Sequence, residues 1–222
     1  AQKLDEIGFE EMLELSSYGA KMHPRSIELG MAFNVPILVA STFADRPGTL
    51  IHRGAVMNAR VGEIRNRVRG VATDTNVAKI TVRGLVDRPG IVAGLFEPLT
   101  ESDISVDVIV QNASVDGATD LTFTVKRTDL DRALAVVKPV TKELGGIGVL
   151  SADNLAKISI VGTGMLDSPG YASKMFRALA DAGINIEMIA TSEIRITCLV
   201  DEGMVGEATR AVHAAFQLDQ PV

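Results

Sequence analysis

Apolar positions along the chain alternate between the two-residue spacing of strands and the three-to-four-residue spacing of helices, in the same order twice. Strand spacing is clear at Leu121, Phe123 and Val125. Helical spacing is clear at Val92, Leu95, Phe96 and Leu99, and again at Leu130, Ala133, Leu134, Val137 and Val140. The first copy therefore predicts strands at 78–84, 104–110, 121–125 and 147–151, with helices after the first and third strands.

The second copy predicts the same succession of elements. Strands are expected at 156–162, 184–190 and 194–200, and helices at 170–182 and 203–216. The order β-α-β-β-α-β is that of the ferredoxin-like, or split βαβ, arrangement. The predicted fold class is therefore α+β, with two tandem ferredoxin-like (βαββαβ) modules.

The residues themselves also repeat. The segment Gly70–Ile80 reappears as Gly148–Ile158, and Asp87-Arg88-Pro89-Gly90 returns as Asp167-Ser168-Pro169-Gly170. A repeat of about 80 residues is longer than solenoid periods, so it indicates two tandem small domains.

Residues 1–52 lie outside the repeat. Helical spacing at Phe9, Met12 and Leu13, a second helix from Pro24 to Phe33 and a short buried strand at 35–40 are too few elements to bury a core alone. They are predicted to be the tail of a larger domain. The full organisation is then a tail at 1–52, a polar linker at 53–69, one repeat at 70–149 and the other at 150–222.

Composition narrows the class of protein. The 222 residues are 46% hydrophobic and 23% charged, with a net charge of −6, which indicates a soluble globular chain without nucleic acid or membrane as a partner. No basic-then-apolar leader opens the chain, so a cytoplasmic location is expected. The single cysteine, Cys198, lies in an alternating strand pattern, where a buried structural thiol is favoured over a nucleophile.

Catalytic motifs are scarce. Gly162-Thr163-Gly164 suggests a dinucleotide loop, but the next glycine of that motif is misplaced and no unit of Rossmann length follows. His23, His52 and His213 lie far apart, without cysteines or carboxylates at metal-ligand spacing. We predict no catalytic residue, metal site or cofactor in this chain.

The repeated Asp-x-Pro-Gly turn is the more specific signal. Its glycine leaves backbone amides uncovered at the start of a helix, where a carboxylate can bind, and its aspartate can hold an ammonium group. The turn thus offers both halves of a receptor for a free amino acid. The alternative is a plain turn in which Asp87 or Asp167 caps the helix.

Polar residues also open the second strand of each repeat, at Ser105-Val106-Asp107 and Asn185-Ile186-Glu187. These positions correspond between the copies, which favours a binding role. The residues that end these strands, among them Gln111, Ser114, Thr191, Ser192 and Glu193, either line such sites or form hairpin turns.

Several segments together resemble a known family. They are Lys3–Ile7, Gly19-Ala20-Lys21, His23–Ser26, Asp45–Thr49, Gly70–Asp74, Val110–Asn112, Ile184–Glu187 and Thr191–Ile196. Over nearly its full length the chain resembles the C-terminal regulatory part of bacterial aspartate kinases (aspartokinases), especially the β subunit of the α2β2 type.

This resemblance implies that the repeats are ACT domains, with the first inserted into the second so that residues near 70–76 pair with the C-terminal sheet. It also implies that residues 1–52 end an amino-acid-kinase domain, where Lys21 and Met22 touch ATP. ATP and Mg belong to the complete kinase. Because the N-terminal catalytic half is missing, we do not expect this chain to be active by itself.

The resemblance further implies two effector sites at ACT–ACT interfaces. A threonine site would use Asp87, Gly90, Val92, Gln111, Asn185 and Ile186. A lysine site would use Met165, Asp167, Ser168, Gly170, Tyr171, Ser105, Val106 and Asp107. Ser114, Thr191, Ser192 and Glu193 fall in the effector region.

The predicted function is feedback inhibition by threonine, lysine or both of the ATP-dependent phosphorylation of L-aspartate to 4-phospho-L-aspartate. Expected partners are a second copy, bound through the ACT domains, and a catalytic α subunit or upstream kinase domain. The alternative is an ACT scaffold that assembles the oligomer without binding an effector.

Overall fold

The computed structural model describes residues 3–17, 19–53, 68–112, 117–163, 165 and 169–220. Its strands are β1 (Glu6–Gly8), β2 (Ile37–Val39), β3 (Thr49–His52), β4 (Gly70–Val86), β5 (Val106–Gln111), β6 (Ala118–Val125), β7 (Gly148–Val161), β8 (Met188–Thr191) and β9 (Arg195–Asp201). Its α-helices are α1 (Phe9–Ser17), α2 (Pro24–Phe33), α3 (Ile91–Glu101), α4 (Leu130–Glu143), α5 (Tyr171–Asp181) and α6 (Val205–Ala215). No helix in these described ranges is long and apolar enough to cross a membrane.

The chain divides into two compact units. We call Thr75–Ala156 the inserted unit, and Ala1–Asp74 together with Lys157–Val222 the host unit. The divisions fall within β4 and β7, whereas the repeat in the sequence predicted a boundary at 149/150. Two separate strands were predicted around 147–162, but β7 runs through this whole stretch because its strand pattern continues past the polar Asp153 and Asn154.

The inserted unit has the predicted βαββαβ order. Its four strands are arranged β5-β6-β4-β7, and α3 and α4 pack on one face of this sheet. The core between sheet and helices contains Ile80, Leu95, Phe123 and Val137, all at 0% exposure. The apolar spacing of these helices and strands therefore reflects one shared core.

The C-terminal module of the host unit repeats this plan, with strand order β4-β7-β9-β8 and with α5 and α6 on one face. Its fourth strand is the start of β4, residues 70–74, since no strand follows α6 in the described chain. The N–H of Arg69 donates to the carbonyl of Val161 at 2.7 Å, which registers this strand beside the end of β7. The buried hydroxyls of Ser159 and Thr197 satisfy each other across β7 and β9 at 2.7 Å.

The N-terminal segment, residues 3–53, forms a small sheet of order β1-β3-β2 with α1 and α2. Ile7, Phe9, Ile27 and Ile51 make its core. The helix after Pro24 was predicted correctly, and the ring of His23 caps it by accepting the N–H of Arg25 at 3.2 Å.

The strand predicted at 35–40 exists as β2, but the prediction that it is buried is wrong. Leu38 and Val39 are 64% and 46% exposed. β2 is the edge strand of a three-stranded sheet, which leaves these two side chains largely exposed. Apolar side chains at such an edge indicate a surface that needs a partner.

Candidate functional site

Each of the two Asp-x-Pro-Gly turns is followed by a helix whose N-cap residue is a glycine with positive φ. Gly90 has φ +89° at the start of α3, and Gly170 has φ +106° at the start of α5. Among the described residues no side-chain hydrogen bond caps α3, and a Cβ on either glycine would meet no described atom within 4 Å. The space beside each glycine is therefore open at the start of its helix, where backbone amides can bind a carboxylate.

In the inserted unit, the alternative that Asp87 caps α3 is wrong. Asp87 is exposed, and its N–H donates to the carbonyl of Gly117 at 2.9 Å, while Gly90 occupies the cap position. Val92 lies partly buried against the core behind the first turn of α3. The equivalent Asp167 and Ser168 lie outside the described residues, as does Ser114.

The start of β5 lies in the same unit as the N-terminus of α3. We call the N-terminus of such a helix its mouth. Ser105 and Asp107 are exposed and Val106 packs against the core, as the alternation predicted. The register then shifts between Val106 and Ile109, and the hydroxyl of Thr124 accepts the N–H of Val108 at 3.1 Å. Gln111, at the end of β5, is exposed.

In the C-terminal module, Asn185 is exposed and its amide donates to Glu187 at 3.2 Å. Ile186 instead packs against the core, so its backbone is what a ligand would meet. Thr191 ends β8, and Ser192 and Glu193 connect it to β9, where the N–H of Ser192 donates to the carbonyl of Arg195 at 2.8 Å. These residues therefore form a hairpin turn, and their part in an effector site stays a prediction.

Two other predicted effector residues serve the core. Met165 is 8% exposed within the core cluster of the C-terminal module. The ring of Tyr171, the first residue of α5, stacks on Phe216 with centroids 6.1 Å apart. Their side chains therefore support the mouth of α5 from behind.

The predicted ATP residues lie in the N-terminal segment, between α1 and α2. Lys21 is exposed, and Met22 packs against the small core of Ile7, Phe9, Ile27 and Ile51. Lys21 is therefore available to a phosphate, whereas Met22 supports the loop.

A cavity of about 400 Å³ lies at the start of α1. Its lining is Gly8, Phe9, Glu10, Glu11, Met31, Arg53 and Thr163. The Glu11 carboxylate is 1% exposed, and one of its oxygens accepts two hydrogen bonds from Thr163. Sequence reasoning missed Glu11 because it sits between the expected inward positions Phe9 and Met12.

Other chemistry is limited in the part of the chain that the structure describes. It contains no group of three or more His, Cys, Asp or Glu side chains able to hold a metal ion. Cys198 is fully buried, as predicted, and burial raises the pKa of its thiol to about 12. A thiol with so high a pKa is inert as a nucleophile.

Comparison with known proteins assigns the class. Residues 80–139 and 158–216 each match the ACT domain family, and each match covers one of the two ferredoxin-like modules. The chain is thus a tandem ACT-domain protein, which confirms the predicted fold class.

Related proteins match this chain over its full length. An aspartokinase of Pseudomonas aeruginosa is 41% identical over 222 residues, covering 100% of this chain and 53% of the relative. One of Corynebacterium glutamicum is 44% identical over 221 residues, covering 98% and 52%. The chain belongs to the aspartate kinase family, as its regulatory ACT-containing part, and spans about half the length of the curated relatives it matches.

Solved structures agree. The regulatory subunit of aspartate kinase from Thermus thermophilus, in its ligand-free form, is 43% identical with a TM-score of 0.64, covering 68% of this chain and 99% of that one. The aspartate kinase from Synechocystis is 36% identical with a TM-score of 0.69, covering 98% of this chain and 39% of that one. The resemblance seen in the sequence is confirmed.

Proposed function

We propose that this chain senses threonine, lysine or both, and thereby inhibits the phosphorylation of L-aspartate to 4-phospho-L-aspartate by an attached catalytic part. The observation that carries the proposal is that α3 and α5 each start on a glycine with positive φ, Gly90 and Gly170, with open space beside it. A glycine at this position supplies no capping side chain, so the first-turn amides can serve the carboxylate of a ligand.

A free amino acid fits the chemistry of these mouths. Its carboxylate can accept the first-turn amides, and the helix dipole adds to that attraction. Its ammonium group needs an oxygen partner nearby, which Asp87 offers beside the mouth of α3. Open space above each glycine lets the ligand backbone approach closely.

Inhibition then follows from a difference in affinity. An effector shifts an equilibrium between active and inhibited arrangements only if it binds the inhibited one more tightly. Because the helix mouths are formed by loops and strand starts, small changes in these turns are enough to alter that affinity.

The N-terminal segment supports a catalytic partner. Phe33, Val35, Leu38 and Phe43 are 74%, 55%, 64% and 99% exposed in this one segment. Such a surface fits an upstream kinase domain or a separate catalytic subunit. One related structure contains the alpha and beta subunits of an aspartokinase. We also propose a homodimer through the ACT modules, a cytoplasmic location, and ATP with Mg as cofactors of the catalytic part.

Titration calorimetry of the chain with L-threonine and L-lysine tests the proposal. We expect saturable heat with at least one of them, because the start of α3 and Asp87 together match the carboxylate and ammonium groups of a free amino acid. If neither amino acid binds while the chain still dimerises, the ACT scaffold is the correct function and the sensor proposal is wrong.

A further inference from the structure

Helix α1 of the N-terminal segment is bound to the C-terminal module within the host unit. The Oε1 atom of Glu11 accepts both the N–H and the hydroxyl of Thr163, each at 3.0 Å. Its Oε2 atom lies 3.5 Å from Nε of Arg69. Glu11 is 1% exposed, so this carboxylate depends on these partners for its solvation.

The same face of α1 makes further contacts one turn on. Oε2 of Glu14 accepts a hydrogen bond from Arg195 at 3.0 Å, with both side chains largely buried. Leu15 packs against Gly70, because a Cβ added to Gly70 would lie 3.4 Å from the Leu15 side chain. Residues 11, 14 and 15 share one helix face by their spacing, and this face contacts the module at Thr163, Arg195 and Gly70.

The segment that follows α1 packs closely against β4, the strand that contains Gly70. Gly19 has φ +114°, and a Cβ there would collide with the carbonyl oxygen of Thr73 in β4. Only glycine allows so close a backbone approach. Lys21, the residue predicted to contact ATP, follows two residues later.

The contacts of α1 and of the segment after it thus involve residues that lie close in sequence to two different predicted sites. Thr163 lies two residues before Met165 and seven before Gly170, in the segment that leads to the effector turn of the C-terminal module. Gly19 leads to Lys21. A rotation of Thr163 away from α1 would remove both hydrogen bonds from a buried carboxylate oxygen, which is unfavourable.

We propose that α1 transmits effector binding from the C-terminal ACT module to the ATP-contacting segment, with Glu11 as the positioning residue that couples α1 to Thr163. This inference rests on the proposed function, because it assumes that an amino acid binds near Gly170. It adds the route, which neither the fold nor the family match assigns.

The test uses the intact kinase that contains this chain. Two quantities are measured for each variant: the affinity for threonine and lysine by calorimetry, and the inhibition of ATP-dependent aspartate phosphorylation by each. For Thr163→Val, which keeps side-chain shape but lacks the hydroxyl donor, we expect effector affinity within about twofold of the unmodified protein and a half-inhibitory concentration raised about fivefold or more. Glu11→Ala should act in the same direction.

Matched controls separate coupling from general damage. Glu10→Ala removes a carboxylate from the same helical turn, but Glu10 is exposed, so inhibition should stay unchanged. Thr163→Ser restores a hydroxyl and should restore inhibition. If Glu11→Ala does not fold, Glu11→Met, which fills similar space without an acceptor, takes its place.

Three results would overturn the inference. Inhibition equal to that of the unmodified kinase in both Thr163→Val and Glu11→Ala shows that α1 does not carry the signal, while leaving the proposed function intact. Loss of effector affinity in Thr163→Val, parallel to its loss of inhibition, shows that Thr163 belongs to the binding site. No effector binding by the unmodified kinase refutes both the coupling and the proposed function.

Discussion

At the residue scale, Cys198 shows how burial governs chemistry in this protein. It lies in β9 with 0% exposure, and burial disfavours its charged form, which raises the pKa of the thiol from 9.0 to about 12. Between these values the unfolded chain has lost the thiol proton while the native chain retains it. Stability from this group is therefore complete below pH 9 and is lost as pH rises toward 12.

This difference can be measured by comparison with Cys198→Ala. Between about pH 8 and pH 10 the unmodified chain should lose about 1.4 kcal/mol of unfolding free energy relative to the variant, measured by urea denaturation. Iodoacetamide at neutral pH should modify Cys198 only as fast as the chain unfolds. Rapid alkylation of the native chain would contradict the burial argument.

Glu11 is the residue that the sequence could least reveal. Apolar spacing predicts which side chains enter a core, and Phe9 and Met12 follow that rule. A buried carboxylate needs partners from distant parts of the chain, and Thr163 and Arg69 lie 152 and 58 positions away. The one available signal was that Glu11 and Leu15 share a helix face beside the expected apolar one.

At the element scale, α5 begins and ends near two glycines with positive φ, Gly170 at +106° and Gly183 at +69°. A Cβ at either would meet nothing within 4 Å. Alanine at either position should therefore lower stability by a similar amount, about 1 kcal/mol, because only the backbone conformation is strained.

Binding should distinguish these two variants. Gly170→Ala places a methyl group over the helix mouth and should weaken the effector of this module about tenfold or more, whereas Gly183→Ala should leave affinity unchanged. Calorimetry gives the affinities and thermal unfolding the stabilities. Equal affinities in both variants would mean that the mouth of α5 holds no carboxylate.

Most elements could be predicted because their cores are simple. Helices α2 to α6 fall close to their predicted ranges, since each buries one apolar face against a sheet. The lengths of β4 and β7 could not be predicted in the same way. Polar residues such as Asp74 and Asn154 interrupt the apolar alternation without ending the strand, because the backbone ladder continues through them.

The candidate sites were predicted in part. Helices that start on a glycine follow from proline and glycine chemistry, and α3 and α5 both begin after a glycine with positive φ. The packing of Met165 and Tyr171 on the core could not be predicted from the sequence, since it depends on where α6 ends. The assignment of threonine or lysine to either module stays a prediction.

At the scale of the whole molecule, the exposed apolar residues of the N-terminal segment predict dependence on the catalytic part. Leu38→Asp should weaken binding of that part, supplied as a separate chain, by about tenfold or more, because it puts a charge into an apolar contact. Analytical ultracentrifugation measures the binding. Unfolding of the chain itself should change little, since Leu38 is 64% exposed.

Leu150→Asp is the matched control for that variant. Leu150 also lies on a strand and is 58% exposed, but it belongs to the inserted unit. It should leave association with the catalytic part unchanged. Equal weakening by both substitutions would point to added charge, rather than to the N-terminal surface, as the cause.

The start of β4 limits how the chain can be divided into separate domains. Residues 70–74 complete the sheet of a module whose other strands come more than 80 positions later in the chain. A gene fragment that begins after Asp74 would encode the C-terminal module one strand short, with the flank of β7 open to pairing with other chains. The two ACT domains therefore cannot be exchanged as separate segments. A recombination that replaces one of them must keep the two points, within β4 and β7, where the chain passes from one unit to the other.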